Sequence, residues 1–424
     1  MNFSGKKLLI LGANPETSSL VIKANEMGIK TYVTDYDPNA YAKQFAAVPC
    51  NIDASDVDSI YDLVIREKID GVALGVAERL IPFYTELCAK LNFPCYGSHE
   101  VFETMISKQK FKQLCRENSV PVVPEFFPSD YSDESLKKII LPVVVKPIDS
   151  CSSKGISVCR TTEELKLGIQ KALTYSISKK IIIEKYMTGE EVVIYYVIQN
   201  GSPTCVAMCD RYTNREQNGV APLPTSYIFP SRYTKSYLQK NDESVKKMIK
   251  ACGIKNGVLF IQSFAENENI FVYEPGFRLN GAQEHYIVSE ITGIDAKELM
   301  INFALAGKIS DDDISQKAEP CFKKIACKLS PLVKTGRIAK LNGLEEIKKL
   351  PGVVSVNPSY REGEIVDGYG TLKQIVCRFF VVRDTKEELK KTVDLIEEKL
   401  VVTGEDGNSM KLTPFCTDII LKNY

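Results

Sequence analysis

The sequence predicts a multidomain chain, α/β at its start and α+β beyond, on three observations. Strand-like and helix-like stretches alternate through the first hundred residues, the order that builds a parallel sheet with covering helices. Later strands follow one another closely around turn signals, above all Asn200-Gly201, which marks an antiparallel hairpin. The length, 424 residues, suffices for about two to four domains.

The totals remove several classes. Lys and Arg number 54, as do Asp and Glu, so the basic surplus of a nucleic-acid footprint is missing. None of the 13 Cys falls in a C-x-x-C pair, and the only His residues are His99 and His285. A structural zinc site therefore has no ligand set. An odd number of scattered thiols suits a reducing, cytoplasmic setting better than a disulfide framework. The first apolar run is too short for a signal peptide. No stretch approaches the roughly 20 apolar residues of a membrane span.

In chain order, KKLLILG (6–12) reads as a buried strand. Ser18 to Met27 is a helix closed by Gly28, and Lys30 to Asp35 is a second strand ending in an acid. This is a β-α-β unit with a right-handed crossover. Its glycine fingerprint is incomplete, with Asn14 and Ser18 where further glycines belong, so as a nicotinamide site it is weak. Ser55 to Lys68 is helical and Asp70 to Gly75 a strand. Glu78 lies just past that strand's carboxyl end, where open α/β sheets bind ligands. A helix over Ile81 to Leu91 follows.

Residues 104–120 predict one amphipathic helix with Lys108 near its start. Val143 to Lys146 is a β-branched strand ending in a lysine. Thr161 to Thr174 is a helix capped by Thr161 or Thr162. Ile181 to Met187 is a strand, and Val192 to Gln199 with Pro203 to Cys209 form the hairpin around Asn200-Gly201. Residues 210–231, polar, Pro-rich and without period, are expected to be a long loop. Asp242 to Cys252 is a helix; Val258 to Phe264 and Ile270 to Glu274 are strands. A loop over Pro275 to Gly281 leads to a helix bearing His285 and Glu290. A domain boundary falls near 310, beside Asp311-Asp312-Asp313. Helices at Gly343 to Leu350 and Thr385 to Leu400 come after it.

One stretch carries chemistry on its face. After Lys146 come Ser150, Cys151, Ser152, Ser153, Lys154 and Gly155. Small residues let backbone N–H groups approach an anion, and the two lysines add positive charge. The segment reads as a flap over a polyphosphate or as an exposed Ser-rich hairpin, and its companions must decide.

Those companions occur in a telling order: Lys108, Lys146 and Lys154; then Glu184-Lys185-Tyr186-Met187 followed by Gly189-x-Glu191; then Glu274-x-Gly276-x-Arg278-x-x-Gly281. In this order and spacing the chain resembles an ATP-grasp ligase over about residues 5–305. It is similar to the carbamoyl-phosphate-synthase-like and L-amino acid ligase (carboxylate–amine ligase) branches. The resemblance implies a Rossmann-like pre-ATP-grasp domain (1–105) and a two-lobed ATP-grasp domain (106–187 with the flap, then 188–310). A small C-terminal α+β domain (311–424) would follow.

It also implies roles. Lys108, Lys146, Lys154 and the flap residues Ser150, Ser152, Ser153 and Gly155 would hold the phosphates of ATP, where cations offset developing charge. Glu184, Lys185, Tyr186 and Met187 would form the adenine hinge. Glu191, or Glu190, would accept the ribose hydroxyls. Glu274 would bind Mg2+, with Mn2+ as a substitute, a hard cation suited to oxygen ligands. Arg278 would steady an acyl phosphate, with Lys146 and Lys154 beside the transferred group. Glu78, Arg211, His285 and Arg278 would face the substrates, and the 210–231 loop, with Tyr212 and Arg215, would set their choice.

Two positions depart from the pattern. Gln262 stands where a first metal glutamate is expected, and Gly276 where an asparagine ligand is expected. Asn280 or Glu266 could substitute. The implied activity is an ATP-dependent carboxylate–amine (or carboxylate–thiol) ligase that forms an acyl phosphate and releases ADP. Its partners would be small-molecule carboxylates and amines, and a homodimer is allowed. The alternatives are a carbamoyl-phosphate-synthase- or biotin-carboxylase-like subunit activating bicarbonate, and a catalytically impaired ATP-binding protein. The serine-rich flap speaks against a carboxylase, whose flap resembles a glycine run.

Overall fold

The computed structural model describes residues 1–148, 155–214 and 222–424. At the N-terminus, Val48–Cys50, Lys30–Thr34, Lys7–Leu11 and Gly71–Leu74 form, in that order, a four-stranded parallel sheet. Leu8, Leu9, Ile10 and Leu11 are all fully buried, as expected when helices cover both faces. The covering helices include Ser18–Glu26, Val57–Glu67 and Ile81–Leu91. Val48–Cys50 was not foreseen. It is three residues long with a proline at its centre, confined to the sheet's edge.

The single helix expected over 104–120 is two, His99–Ile106 and Lys108–Glu117. Ser107 separates them: its backbone is extended, and its hydroxyl accepts from the Lys110 N–H at 3.3 Å. A serine that caps one helix cannot continue the previous one. Lys108 thereby becomes the first residue of a new helix.

Glu125–Phe126, Ile181–Lys185, Val143–Pro147 and Ser157–Cys159 form an antiparallel sheet backed by the helix Thr162–Tyr175. Thr161 and Glu164 close a capping box on that helix. The sheet and helix share a core of their own, built on Leu136, Val143, Val145, Leu165, Ile169 and Ile183. Pairing of Val143 with Cys159 and Val145 with Ser157 makes the flap segment the connection of a hairpin. The roles expected of Ser150, Ser152, Ser153 and Lys154, and of Arg215 in the later loop, concern residues outside the described ones. Gly155 is described: its φ is +77°, and a β-carbon there would sit 2.8 Å from Pro147 Cγ and Tyr175 Cβ. Only glycine fits both conditions.

The largest sheet has eight antiparallel strands, in the order Asn269–Gly276, Gly257–Glu266, Glu190–Gln199, Ser202–Thr213, Pro224–Phe229, Ile325–Leu329, Cys377–Arg383 and Val353–Pro358. Its first hairpin turns at Asn200 (φ 51°) and Gly201 (φ 79°), the two left-handed residues that a type I′ turn demands.

Two expectations are corrected here. Of the stretch 210–231, expected to be one loop, residues 210–213 and Pro224–Phe229 are strand, with Asp210 paired to Ile228, Arg211 to Tyr227 and Tyr212 to Ser226. All six residues of Pro224–Phe229 are buried, so no in–out alternation betrays the strand. The helix expected at Gly343 to Leu350 is only the turn Leu344–Ile347. Across the boundary expected near 310 the sheet runs unbroken, because Ile325–Leu329 pairs with Pro224–Phe229 and then carries the last two strands.

Candidate active site

Register puts the candidate side chains of the eight-stranded sheet on one face. Glu191 pairs with Arg211, Arg211 with Tyr227, and Tyr227 with Lys328. Residues directly opposite each other point the same way, so these four make a row across four strands. Gln262 and Glu274 are opposite each other one row on. Arg211 forms an ion pair with Glu191, and its Nε donates to Tyr227 Oη at 3.2 Å. Tyr273 Oη lies 2.8 Å from Gln262 Oε1 and 3.2 Å from Glu191 Oε2.

The neighbouring carboxylates are committed elsewhere. Glu190 pairs with Arg232 and Tyr233. Glu266 takes Lys185 Nζ at 2.6 Å and Thr188 Oγ1 at 3.3 Å. Glu266 is thus already committed to Lys185 and Thr188, and that pair holds Lys185 at the end of its strand. Asn280 Oδ1 accepts the Ala282 N–H at 3.0 Å, closing its own turn. Among the described residues no three His, Cys, Asp or Glu side chains converge. Glu274 and Gln262 remain as facing oxygen donors with one charge between them. That set fits a hard cation that brings water and phosphate oxygens for the rest of its shell.

The second departure has a steric cause. A β-carbon on Gly276 would lie 2.1 Å from Phe260 Cζ. Phe260 fills the space an asparagine would need, and the Arg278 guanidinium stacks on its ring at 5.4 Å.

In the first lobe, Lys146 Nζ lies 2.6 Å from Glu184 Oε2, and Lys112 pairs with the other oxygen of the same carboxylate. Lys112 also lies 3.1 Å from Glu125, which in turn holds Arg116. Burial pushes the Glu184 carboxyl up, but Lys146 and Lys112 outweigh it and hold it below its ordinary value. Lys112 was missed in the sequence. It stands one helical turn beyond Lys108 and next to buried Phe111, so it sits on an apolar face. In the segment expected to be the hinge, the Tyr186 N–H donates to Pro142 O at 3.0 Å, Arg160 lies 5.7 Å over the Tyr186 ring, and Met187 is buried.

At the opposite end, Arg278 Nε donates to Glu78 Oε2 at 3.2 Å. The fold brings these two candidates together from 200 residues apart. His285 is buried with neither ring nitrogen hydrogen-bonded, and burial drives its pKa well below the usual range. It borders, with Glu284, Arg278 and Val288, a mostly apolar cavity of about 30 Å3, room for one or two waters. That is the setting of a core histidine.

Three buried charged groups were also missed: Glu284, which lies near Arg278, and Lys328 and Arg378. Arg378 Nη2 lies 2.8 Å from Glu16 Oε1, tying the last strands to the first βα turn. The carboxyl end of the N-terminal sheet is filled by the protein itself. Asp35 Oδ2 accepts the Ala13 N–H at 3.1 Å, and Lys43 Nζ reaches Asp35 O (2.6 Å), Asp37 O (2.8 Å) and Asn51 Oδ1 (2.9 Å). A dinucleotide would have to displace all of these.

Residues 107–311 match the family described as carbamoyl-phosphate synthase L chain, ATP binding domain, and residues 331–405 match L-amino acid ligase C-terminal domain 2. The carbamoyl phosphate synthase large chain of Clostridium acetobutylicum is 22% identical over 319 residues, which are 72% of this chain and 29% of that protein. This chain therefore spans less than a third of that relative. A formate-dependent phosphoribosylglycinamide formyltransferase of Francisella tularensis is 24% identical over 285 residues, 65% of this chain and 70% of that one. The L-amino acid ligase of Bacillus licheniformis superposes with a TM-score of 0.76 at 20% identity, covering 95% of this chain and 100% of that one. The biotin carboxylase domain of the Hydrogenobacter thermophilus 2-oxoglutarate carboxylase, solved with MgADP and bicarbonate, gives 0.76 at 18% identity, over 94% and 91%. Among the described residues no helix is long and apolar enough to cross a membrane.

Proposed function

We propose that this chain, an ATP-grasp protein by its fold and by the family its residues 107–311 match, is an ADP-forming carboxylate–amine ligase. The observation that carries this reading is Arg278. It follows the Glu274–Gln262 pair on the ladder, rests on Phe260, and is held by Glu78 from the N-terminal sheet. A cation fixed by an aromatic face and a carboxylate, four residues beyond Glu274 in the chain, suits charge that develops on a transferring phosphoryl group.

The reaction runs in two displacements. A substrate carboxylate oxygen attacks the γ-phosphorus of ATP, the bond to the β-phosphate oxygen breaks, and ADP leaves. An amine nitrogen then attacks the carbonyl carbon of the acyl phosphate. The C–O bond to phosphate breaks, and the nitrogen gives up its proton. Lys146, fixed by Glu184, and Lys108, at a helix start, would contact the phosphates. Glu274 and Gln262 would hold Mg2+, or Mn2+ in its place, which when bound neutralises phosphate charge. Arg278 would orient the acyl phosphate, and positioning accounts for most of the rate.

An ADP-release screen over carboxylate and amine pairs tests this, with ATP binding followed by calorimetry. The wild type should release ADP only when both substrates are present. Lys146→Ala should lower that release by about 100- to 1000-fold and still fold, because Lys112 continues to pair with Glu184. Tight ATP binding without ADP release across the panel would refute the ligase. Release driven by bicarbonate alone would favour a carboxylase.

A further inference from the structure

The helix Ile81–Leu91 ends in a turn that folds the chain back on it. Asn92 is left-handed at φ 54°, its N–H donates to Ala89 O at 3.3 Å, and the Phe93 N–H donates to Cys88 O at 2.9 Å. This pair of bonds is a Schellman cap, and it brings Cys95 beside Cys88. The two thiols hydrogen-bond each other, and the Tyr84 hydroxyl bonds both. Cys88 is fully buried. Cys95 is half-buried, and its Sγ donates to Gly97 O at 3.1 Å.

Other thiols of the chain are inert by comparison. Burial pushes Cys115, Cys159, Cys252 and Cys377 up. Cys95 moves the other way: its bond from Cys88 outweighs burial, and Gly97 and Tyr84 add to it. The thiolate, not the thiol, is the form that oxidants meet. Cys95 also adjoins the site. Tyr96, the next residue, packs its ring on Phe277 at 5.0 Å, and its hydroxyl donates to Phe277 O at 3.3 Å. Arg278 follows directly. A β-carbon on Gly97 would lie 2.9 Å from Phe277, and one on Gly257 2.8 Å from it. A cluster packed this closely passes a shift on rather than absorbing it.

We propose that Cys95 is an oxidation site for a hydroperoxide, that Cys88 resolves it to a disulfide, and that this disulfide displaces Arg278 through Tyr96 and Phe277. The Cys95 thiolate attacks a peroxide oxygen and the O–O bond breaks. Cys95 becomes a sulfenic acid, and the leaving oxygen takes a proton from solvent to give water or an alcohol. The Cys88 sulfur then attacks the Cys95 sulfur, and its proton leaves with the departing hydroxide as water. The dithiol gives up two electrons and the peroxide gains them. A disulfide holds its sulfurs about 2.05 Å apart, well inside hydrogen-bond distance. Closing it draws Cys95 towards the helix and Tyr96 off its seat on Phe277. A dithiol reductant reverses the link by exchange. The oxidation site stands apart from the ligase reading; only its effect on turnover rests on that reading.

The test treats the reduced chain with hydrogen peroxide, raised until exposed Cys416 begins to oxidise, and follows peptide mass, hydrogen exchange and ADP release. The wild type should yield a Cys88–Cys95 peptide pair lighter by two hydrogens and faster exchange over residues 275–281. Its ADP release should fall by about 10- to 100-fold, the cost of misplacing a positioning group by about an ångström. Dithiothreitol should restore all three. Cys88→Ala should stop at a Cys95 sulfenic acid, trapped by dimedone, with exchange as in the reduced wild type. Cys95→Ser should resist the treatment in exchange and ADP release. Oxidation of Cys416 with no Cys88–Cys95 link would overturn the oxidation site. A link that leaves exchange over 275–281 unchanged would overturn the coupling to Arg278. No ADP release from the reduced chain would overturn the ligase reading alone, because mass and exchange still report on the thiols.

Discussion

A β-carbon on Gly276 would collide with the Phe260 ring at 2.1 Å, so Gly276→Asn forces the ring away from Arg278. Overpacking of this kind costs about 1–3 kcal/mol. The single variant should melt lower and lose turnover. Phe260→Ala with Gly276→Asn should recover the melting temperature and bind Mn2+ more tightly, as titrated by electron paramagnetic resonance. A single variant that melts like the wild type would remove Phe260 as the barrier. Glu284 sets a second expectation. Burial raises its carboxyl to about 8 against the pull of Lys328, Arg278 and Lys297. The folded chain thus keeps a proton that the unfolded chain releases near the ordinary glutamate pKa. The stability this gives is complete below that value and falls as the pH rises towards 8. Glu284→Gln should flatten the fall, so its advantage over the wild type in thermal melts should grow between pH 5 and pH 8. Neither Phe260 nor Glu284 was legible beforehand. An aromatic in an apolar strand and a glutamate at a helix start are commonplace until something packs against them.

At the scale of elements, strands with a turn signal and helices with a cap were the readable ones. Ile81–Leu91, Thr162–Tyr175 and Lys386–Lys399 fall within about one residue of expectation, and the hairpin turns at Asn200-Gly201 as expected, although its second strand runs on to Thr213. Misreadings came where tertiary contacts override local pattern. Pro224–Phe229 is polar at its start and buried throughout, so its strand is visible only beside its neighbours. This narrows the segment free to set specificity from 210–231 to the connection between Thr213 and Pro224. Arg211 belongs to the ladder and to the Glu191 pair. Exchanging residues 214–223 for a shorter turn should leave the melting temperature within a few degrees and change which carboxylate–amine pairs release ADP. An unaltered preference would show that the strands, not their connection, choose the substrate.

At the scale of the whole molecule, the first lobe has its own core, while the N-terminal sheet and second lobe share one cluster of buried side chains. Ties such as Arg378–Glu16 and Arg278–Glu78 set the N-terminal loops against the sheet face. The sequence by itself determined the kind of fold and the order of most of its elements, because strand and helix periods, caps and glycine turns are local signals. It also marked Gln262 and Gly276 as departures. Only the tertiary structure decided which charges meet. Lys112 with Glu184, Arg278 with Glu78, and Lys328 over the Tyr227 ring depend on strand register and domain contact. Register is fixed by burying one face of each strand against residues far away in the chain, and no local pattern carries that information.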